Sequence, residues 1–285
     1  HCVLQRGLLE AEKATSDPSL QFKAMSALLN FLVREFKPTA VAAYLGTERD
    51  RIVKKVTGNP DPYAKAKQIS NQKAMETLPI ARKLVLSESS AESRFRRACL
   101  CSMVGNIIEF DIPDHVFKFE DMEKLIERAE EDLAIDEIPK IFEEAKMAKS
   151  VLYLTDNAGE IAFDKLLVQE LRRLGTRVTV AVKSRPVLND ATMEDAKYVG
   201  MDAVADDVIT TGTDSVGLVL EECSSDFLTF YNSADLVVAK GMGYTETLTE
   251  HTLKTPHALL LRTKCRPVAN FFGVGRNTNV AKMMP

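Results

Sequence analysis

The sequence predicts an α/β protein: a helical N-terminal domain over residues 1–148, then a Rossmann-like three-layer α/β/α domain with a mainly parallel sheet over residues 149–285. Up to about Leu100, apolar residues recur at helical spacing, with few strand-like runs and little glycine. After Ala148 the period changes and short apolar runs alternate with helical stretches. Each of those runs ends in polar or glycine-containing sequence, as parallel strands do at a ligand-binding rim.

Composition sets the outer limits. At 285 residues, 45% hydrophobic and 27% charged, the chain has the make-up of an ordinary soluble domain or pair of domains with a sizeable core. A net charge of −4 gives no electrostatic reason to expect nucleic acid or an anionic membrane as partner. There is no apolar run of about 18 residues and no secretory segment, so the expected location is the cytoplasm. The chain begins at His1 rather than Met, and is expected to start inside the native N-terminus. Five cysteines at irregular positions argue against a disulfide framework, and Cys99 and Cys101 point to different faces of one helix. The four histidines have no ligand spacing, and no Gly-x-Ser-x-Gly or Cys-His arrangement occurs, which disfavours a zinc hydrolase or serine esterase.

In the N-terminal part, Leu4, Leu8, Leu9 and Ala11 form a first stripe. Ser16-Asp17-Pro18 starts a second helix, continued by Phe22 to Val33. Leu45-Gly46-Thr47 reads as a helix end with a capping turn, and Ala64 to Leu86 as a long helix interrupted or kinked at Pro79. A helix from Ala91 to Val104 ends in Gly105-Asn106, a C-cap that leaves Asn106 and Glu109 near its end. Glu120 to Glu131 and Ile138 to Met147 are charged helices with solvated faces. Five strands follow: Val151–Leu154, Arg177–Val182, Asp207–Thr210, Asp235–Ala239 and His257–Leu261.

Their ends share one rim. Asp156 and Asn157 follow the first strand, Asn189-Asp190 the second, Gly212-Thr213-Asp214 the third, Lys240-Gly241 the fourth and Lys264 the fifth. Asp156, Asn157 and Asp190 are hard oxygen donors suited to Mg²⁺ or Mn²⁺, and also good helix N-caps. Lys240 and Lys264 offer positive charge to a phosphoryl group, or simply reach solvent. Backbone amides at Gly212 and Thr213 suit an anion, and Asp214 suits sugar hydroxyls. Glu246 is placed either to meet the metal water or substrate or to favour its own helix dipole.

Asp156-Asn157-Ala-Gly159-Glu160, Asn189-Asp190-Ala-Thr-Met-Glu-Asp195, Gly212-Thr213-Asp214, Lys240-Gly241-Met-Gly243-Tyr-Thr-Glu246 and Lys264-Cys265-Arg-Pro together resemble the damage-control phosphatase family. This is the former domain of unknown function 89, also described as the acidic-residue methyltransferase-like fold. Gly105-Asn106-Ile107-Ile108 and the helical first third resemble it too. The resemblance implies a compact, archaeal-type, metal-dependent phosphatase of small phosphorylated metabolites such as sugar phosphates or damaged cofactors. By the same resemblance Asp156, Asn157 and Asp190 bind the metal, Mg²⁺ or Mn²⁺ with Co²⁺ or Ni²⁺ as further occupants. Asp156, Lys264 and Glu246 are then the catalytic candidates, and Gly212, Thr213, Asp214, Lys240 and Glu160 the substrate contacts. Two departures stand out: Cys2 lacks the second cysteine of an N-terminal Cys-x-x-Cys, and Gly243-Tyr244-Thr245-Glu246 stands where Gly-Asn-Tyr-Glu is common. Two other functions use the same rim. An S-adenosylmethionine-dependent carboxyl methyltransferase fits the doubly wound fold but wants a Gly-x-Gly-x-Gly turn after strand one and an acid after strand two. A non-catalytic sugar-phosphate binding module would turn nothing over.

Overall fold

The computed structural model describes residues 2–105 and 119–285. The expectations for Asn106, Glu109 and the Gly-Asn-Ile-Ile stretch beyond Gly105 lie outside the described residues. Helices α1 (Cys2–Ala14), α2 (Pro18–Glu35), α3 (Ala42–Thr57), α4 (Ala64–Leu86) and α5 (Ala91–Val104) come first. They are followed by α6 (Phe119–Glu131), strand β1 (Leu133–Asp136) and α7 (Ile138–Met147). The alternating part runs β2 (Ser150–Leu154), α8 (Glu160–Arg173), β3 (Arg177–Val182), α9 (Met193–Tyr198), β4 (Asp207–Thr210), α10 (Ser225–Ser233), β5 (Leu236–Lys240), α11 (Gly241–Leu248), β6 (His257–Arg262), α12 (Arg266–Phe272) and β7 (Asn279–Met284). Among the described residues no helix is long and apolar enough to cross a membrane.

Among the described residues, seven strands form one sheet in the order β1-β7-β6-β5-β2-β3-β4. The five expected strands are present and mutually parallel. Two were not expected. β7 pairs antiparallel with β6, and β1 pairs with β7. β1 comes from residues 133–136, and one apolar core runs from α4 and α5 through α8 to β2, β3 and β5. The central strands β2 and β5 are buried nearly throughout, as a sheet covered on both faces requires.

Local chemistry explains the other differences. Asp17 caps α2 by accepting from Ser19 N at 2.8 Å, as the sequence predicts. Pro79 does not interrupt α4, whose buried Ala74, Leu78 and Ala81 hold both sides of the proline against the core. Thr47 ends no helix. It lies within α3, where its Oγ1 donates to Ala43 O at 2.9 Å and accepts from Val216 N at 2.9 Å. One turn further, Arg51 reaches Asp214 at 2.7 Å and Glu222 at 2.6 Å. Thr47, Asp50, Arg51 and Lys54 recur at i, i+3, i+4 and i+7, so one polar stripe of α3 lies along the ends of β3 and β4.

The bundle also buries a charge cluster. Glu10 of α1 accepts from Arg49 Nε at 2.9 Å, yet its second carboxyl oxygen is buried without a hydrogen bond. Burial, reinforced by the charge of Asp50, lifts the Glu10 carboxyl to about 8. The folded protein thus holds a proton that the unfolded chain releases near pH 4.5, and stability falls as pH rises from there to about 8. We expect Glu10→Gln to melt with wild type near pH 4.5 and above it at pH 8, in thermal unfolding scans across that range. A gap that does not grow with pH would refute this ionisation.

Candidate active site

The chain order β2, β3, β4 runs to one side of β2, and β5 returns on its other side. The crevice between the carboxyl ends of β2 and β5 is therefore the switch point where open α/β sheets bind ligands. Asp156 leaves β2 there, and Lys240-Gly241 leaves β5 opposite it. The two turns touch. A Cβ at Gly241 would fall 2.0 Å from Asp156 Oδ2, and Gly241 has φ +83°, so only glycine lets the β5 turn pass the carboxylate.

The neighbouring turn is stitched to the first by backbone hydrogen bonds. Ala191 N donates to Asp156 O at 2.8 Å and Ala158 N to Asn189 O at 2.9 Å, so Asn157 faces Asp190 across a short antiparallel bridge. Thr192 and Asp195 form a capping box, which is why α9 begins at Met193. From the bundle, Asn71 of α4 accepts from Gly159 N at 2.7 Å and donates to Asp195 at 2.7 Å. Asp156, Asn157 and Asp190, three separate expectations from sequence, are thus brought together.

Beneath them lies a buried ionic network. Asn157 Nδ2 donates to Asp156 Oδ2 and to Glu160 Oε2, both at 2.9 Å, which commits the amide nitrogen inward. Lys240 Nζ donates to Glu160 at 2.5 Å, to Asp164 at 3.0 Å and to Ser102 O at 2.9 Å. Its side chain is 0% exposed and its three N–H bonds are taken, so Lys240 is a strut below the rim rather than a substrate contact. Glu160, 1% exposed, belongs to the same network and not to the cavity wall. Tyr153 completes it by donating to Asp164 at 2.7 Å. Burial lifts Asp164 to about 6 despite the adjacent ammonium.

Above this layer is a cavity of about 470 Å³ whose wall includes Asp156, Asn157, Asp190, Lys264, Arg262 and Arg6. Burial, and then the charges of Glu160 and Asp190, push the Asp156 carboxyl well above the usual range, while Lys264 opposes them. Asp190 is lifted to about 6, chiefly by burial, with Lys183 pulling the other way. Lys183 is itself buried, 3.8 Å from Asp190 Oδ2 and 4.6 Å above the Tyr244 ring. Arg262 is steadied by Asp132 at 3.0 Å and Asn279 at 3.1 Å.

The remaining sequence candidates stand elsewhere. Gly212 and Thr213 lie in the turn after β4, where Gly212 packs on Ser224 and Thr213 donates to Glu222 at 2.8 Å. Asp214 is held by Arg51 and, at 3.4 Å, by Arg185, with its carboxyl below the usual range, so it ties the bundle to the rim instead of facing a sugar. Glu246 is half-buried one turn along α11, outside the cavity wall, and burial raises it to about 7 against the pull of Arg6. Arg6 and Asn71 had no sequence signal beyond a polar residue on a helix. The Glu160–Asp164 spacing of i, i+4 was one, since it puts two acids on the same face.

Do these residues suit a cation? Among the described residues no three His, Cys, Asp or Glu side chains are arranged to hold one, so the donor set is two carboxylates and one amide. It is all oxygen and carries repelling buried charges, and Gly241 keeps space beside Asp156. Mg²⁺ or Mn²⁺ fits such a set, with its other positions open to water or phosphate.

Comparison with known proteins shows the family. The family described as damage-control phosphatase ARMT1-like domain matches residues 1–280. A damage-control phosphatase of Archaeoglobus fulgidus is 35% identical over 99% of this chain and 96% of its own. Another from Pyrococcus horikoshii is 36% identical over 94% of this chain and 90% of its own. A crystal structure of a former domain-of-unknown-function-89 protein from Pyrococcus horikoshii superposes with TM-score 0.87 at 33% identity, covering 98% of this chain and 95% of that one.

Proposed function

Because the chain belongs to the damage-control phosphatase ARMT1-like family, we propose that it is a metal-dependent phosphatase that hydrolyses phosphomonoesters of small metabolites, sugar phosphates or damaged phosphorylated cofactors. The observation that carries this reading is the convergence of half-buried Asp156 and buried Asp190 on one polar cavity, where the charge of Asp190 helps to raise the proton affinity of Asp156. Such a pair favours a cation, and a cation there favours a phosphoryl group. Asp156, Asn157 and Asp190 would hold Mg²⁺ or Mn²⁺, with Co²⁺ or Ni²⁺ as substitutes. When bound, the ion would neutralise phosphoryl charge and acidify water.

The chain's own residues do the rest. Lys264, on the cavity wall, supplies positive charge to the phosphoryl oxygens, and Arg262 and Arg6 extend the positive field over the substrate. Asn157 turns its amide nitrogen toward Asp156 and Glu160, leaving its carbonyl oxygen as a donor for the cation. Lys240 fixes Glu160 and so fixes Asn157. Asp156 serves as a ligand, and water is the nucleophile.

The test is phosphate release from a panel of sugar and cofactor phosphates by protein stripped of metal and refilled with Mg²⁺, Mn²⁺, Co²⁺ or Ni²⁺. Metal-restored turnover is expected. Equal release by stripped and refilled protein, or none with any metal, would overturn the reading. Hydrolysis in ¹⁸O-water is expected to label the released phosphate without a trappable phospho-enzyme.

A further inference from the structure

Asp190 is delivered by a turn that its own sequence disfavours. Val187-Leu188-Asn189-Asp190 closes through Asp190 N donating to Val187 O at 3.1 Å, and Leu188, second in the turn, has φ +47°. Turns with positive φ at that position favour Gly, Asn or Asp, because a Cβ crowds the backbone. Leu188 and Asn277 are the non-glycine residues with positive φ among the described residues. A bulky residue persists in that conformation only when its surroundings hold it there.

The holding groups come from the bundle. Asp50 Oδ1 accepts from Leu188 N at 3.0 Å, and Lys54 Nζ donates to Pro186 O at 2.6 Å. Asp50 and Lys54 are one turn apart on α3 and pair with each other at 2.5 Å. They therefore grip this segment at two points, two residues before the strained residue and at it. Asp50 is 0% exposed, so its grip is shielded from competing water. Downstream of Leu188, the Asn189 carbonyl and the Asp190 amide are already committed, to Ala158 N and Val187 O. The strained point of the turn that carries Asp190 is therefore the backbone at Leu188, and Asp50 holds it there.

We propose that Asp50 is a positioning residue for the cation site: through Leu188 it holds Asp190 opposite Asn157, so that a helix of the bundle, remote in sequence, sets the affinity of a site built on the sheet. This rests on Asp190 being a ligand, as proposed above. Loss of Asp50 leaves Leu188 to relax toward negative φ, and that relaxation swings Asp190 out of register. Asn in place of Asp50 keeps an acceptor for Leu188 N, and glycine in place of Leu188 adopts φ +47° without a holder.

The experiment measures Mn²⁺ affinity of the full chain by titration calorimetry or by electron paramagnetic resonance of free Mn²⁺, beside the thermal midpoint without metal. Asp50→Ala is expected to weaken Mn²⁺ roughly 10- to 100-fold, the usual range for residues that orient a metal ligand. Asp50→Asn should bind within a few-fold of wild type. The double variant Asp50→Ala with Leu188→Gly should recover most of the lost affinity while its thermal midpoint stays at or below that of Asp50→Ala. Rescue of binding without rescue of stability separates positioning from bulk structure. Equal Mn²⁺ affinity in wild type and Asp50→Ala would overturn the proposal, as would a loss that Leu188→Gly fails to restore. Wild type that binds no Mn²⁺ would instead overturn the assignment of Asp190 as a ligand, and the function proposed with it.

Discussion

Asp156→Asn abolishes metal-restored phosphate release, by roughly 10³-fold or more, and at the same time raises the melting temperature of the metal-free protein at pH 7. The first effect follows from removing a charged ligand at the centre of the site. The second follows from the state of Asp156 without metal: half-buried and facing the charges of Glu160 and Asp190, its carboxyl titrates well above the usual range. An acid whose proton affinity is raised on folding costs stability as pH climbs from its unfolded to its folded pKa, and the full cost remains above the latter. The amide variant escapes that cost. Its advantage over wild type should vanish below about pH 4, where the wild-type carboxyl is protonated in both states. Metal should then stabilise wild type and leave the variant unchanged, and thermal scans with and without Mn²⁺ at pH 4 and pH 7 measure both statements. Undiminished turnover in the variant would remove Asp156 from the metal site.

Lys240→Met acts in the opposite direction. Lys240 is the cation between Glu160 and Asp164, and all three side chains are at most 1% exposed. Methionine fills the space but leaves two buried carboxylates without a counter-charge, a change that typically costs about 3–5 kcal/mol. For a chain of this size that is a fall of roughly 10 °C in melting temperature. The loss should shrink at pH 5, where Asp164, lifted to about 6 and no longer opposed by the ammonium, is protonated in the variant, and grow toward pH 7. Denaturant unfolding at both pH values checks it. Metal affinity should fall as well, because Glu160 loses the group that fixes it beneath Asn157. A variant as stable as wild type at pH 7 would show that the network is not held by charge.

How far the sequence can be read depends on which interactions act locally. The five parallel strands and their shared rim are legible because burial on both faces writes them as continuous apolar runs ending in turn residues. Asp156, Asn157 and Asp190 are legible for the same reason, since each stands where a strand stops. β1 is not: Leu-Ala-Ile-Asp between two amphipathic helices reads as the fraying of a helix, and only pairing with β7 makes it a strand. The role of Lys240 is equally hidden, because a lysine at a strand end looks solvent-bound until Glu160, Asp164 and Ser102 are seen around it. Thr47 beside Gly46 imitates a cap, and its partner Val216 is too distant in sequence to correct that reading.

The position of β7 also orders the making of this protein. Residues 279–284 fill the second place in the sheet, between β1 and β6, and among the described residues β1 pairs with β7 alone. Every residue from β1 to β6 is synthesised before the strand that joins them exists. Until then the emerging chain presents the open edge of β6, and Leu133–Asp136 waits without a partner. Exposed edges of that kind recruit other strands, and pairings between distant segments form slowly. For the interval before β7 leaves the ribosome, the open edge of β6 is thus a place where another chain can pair.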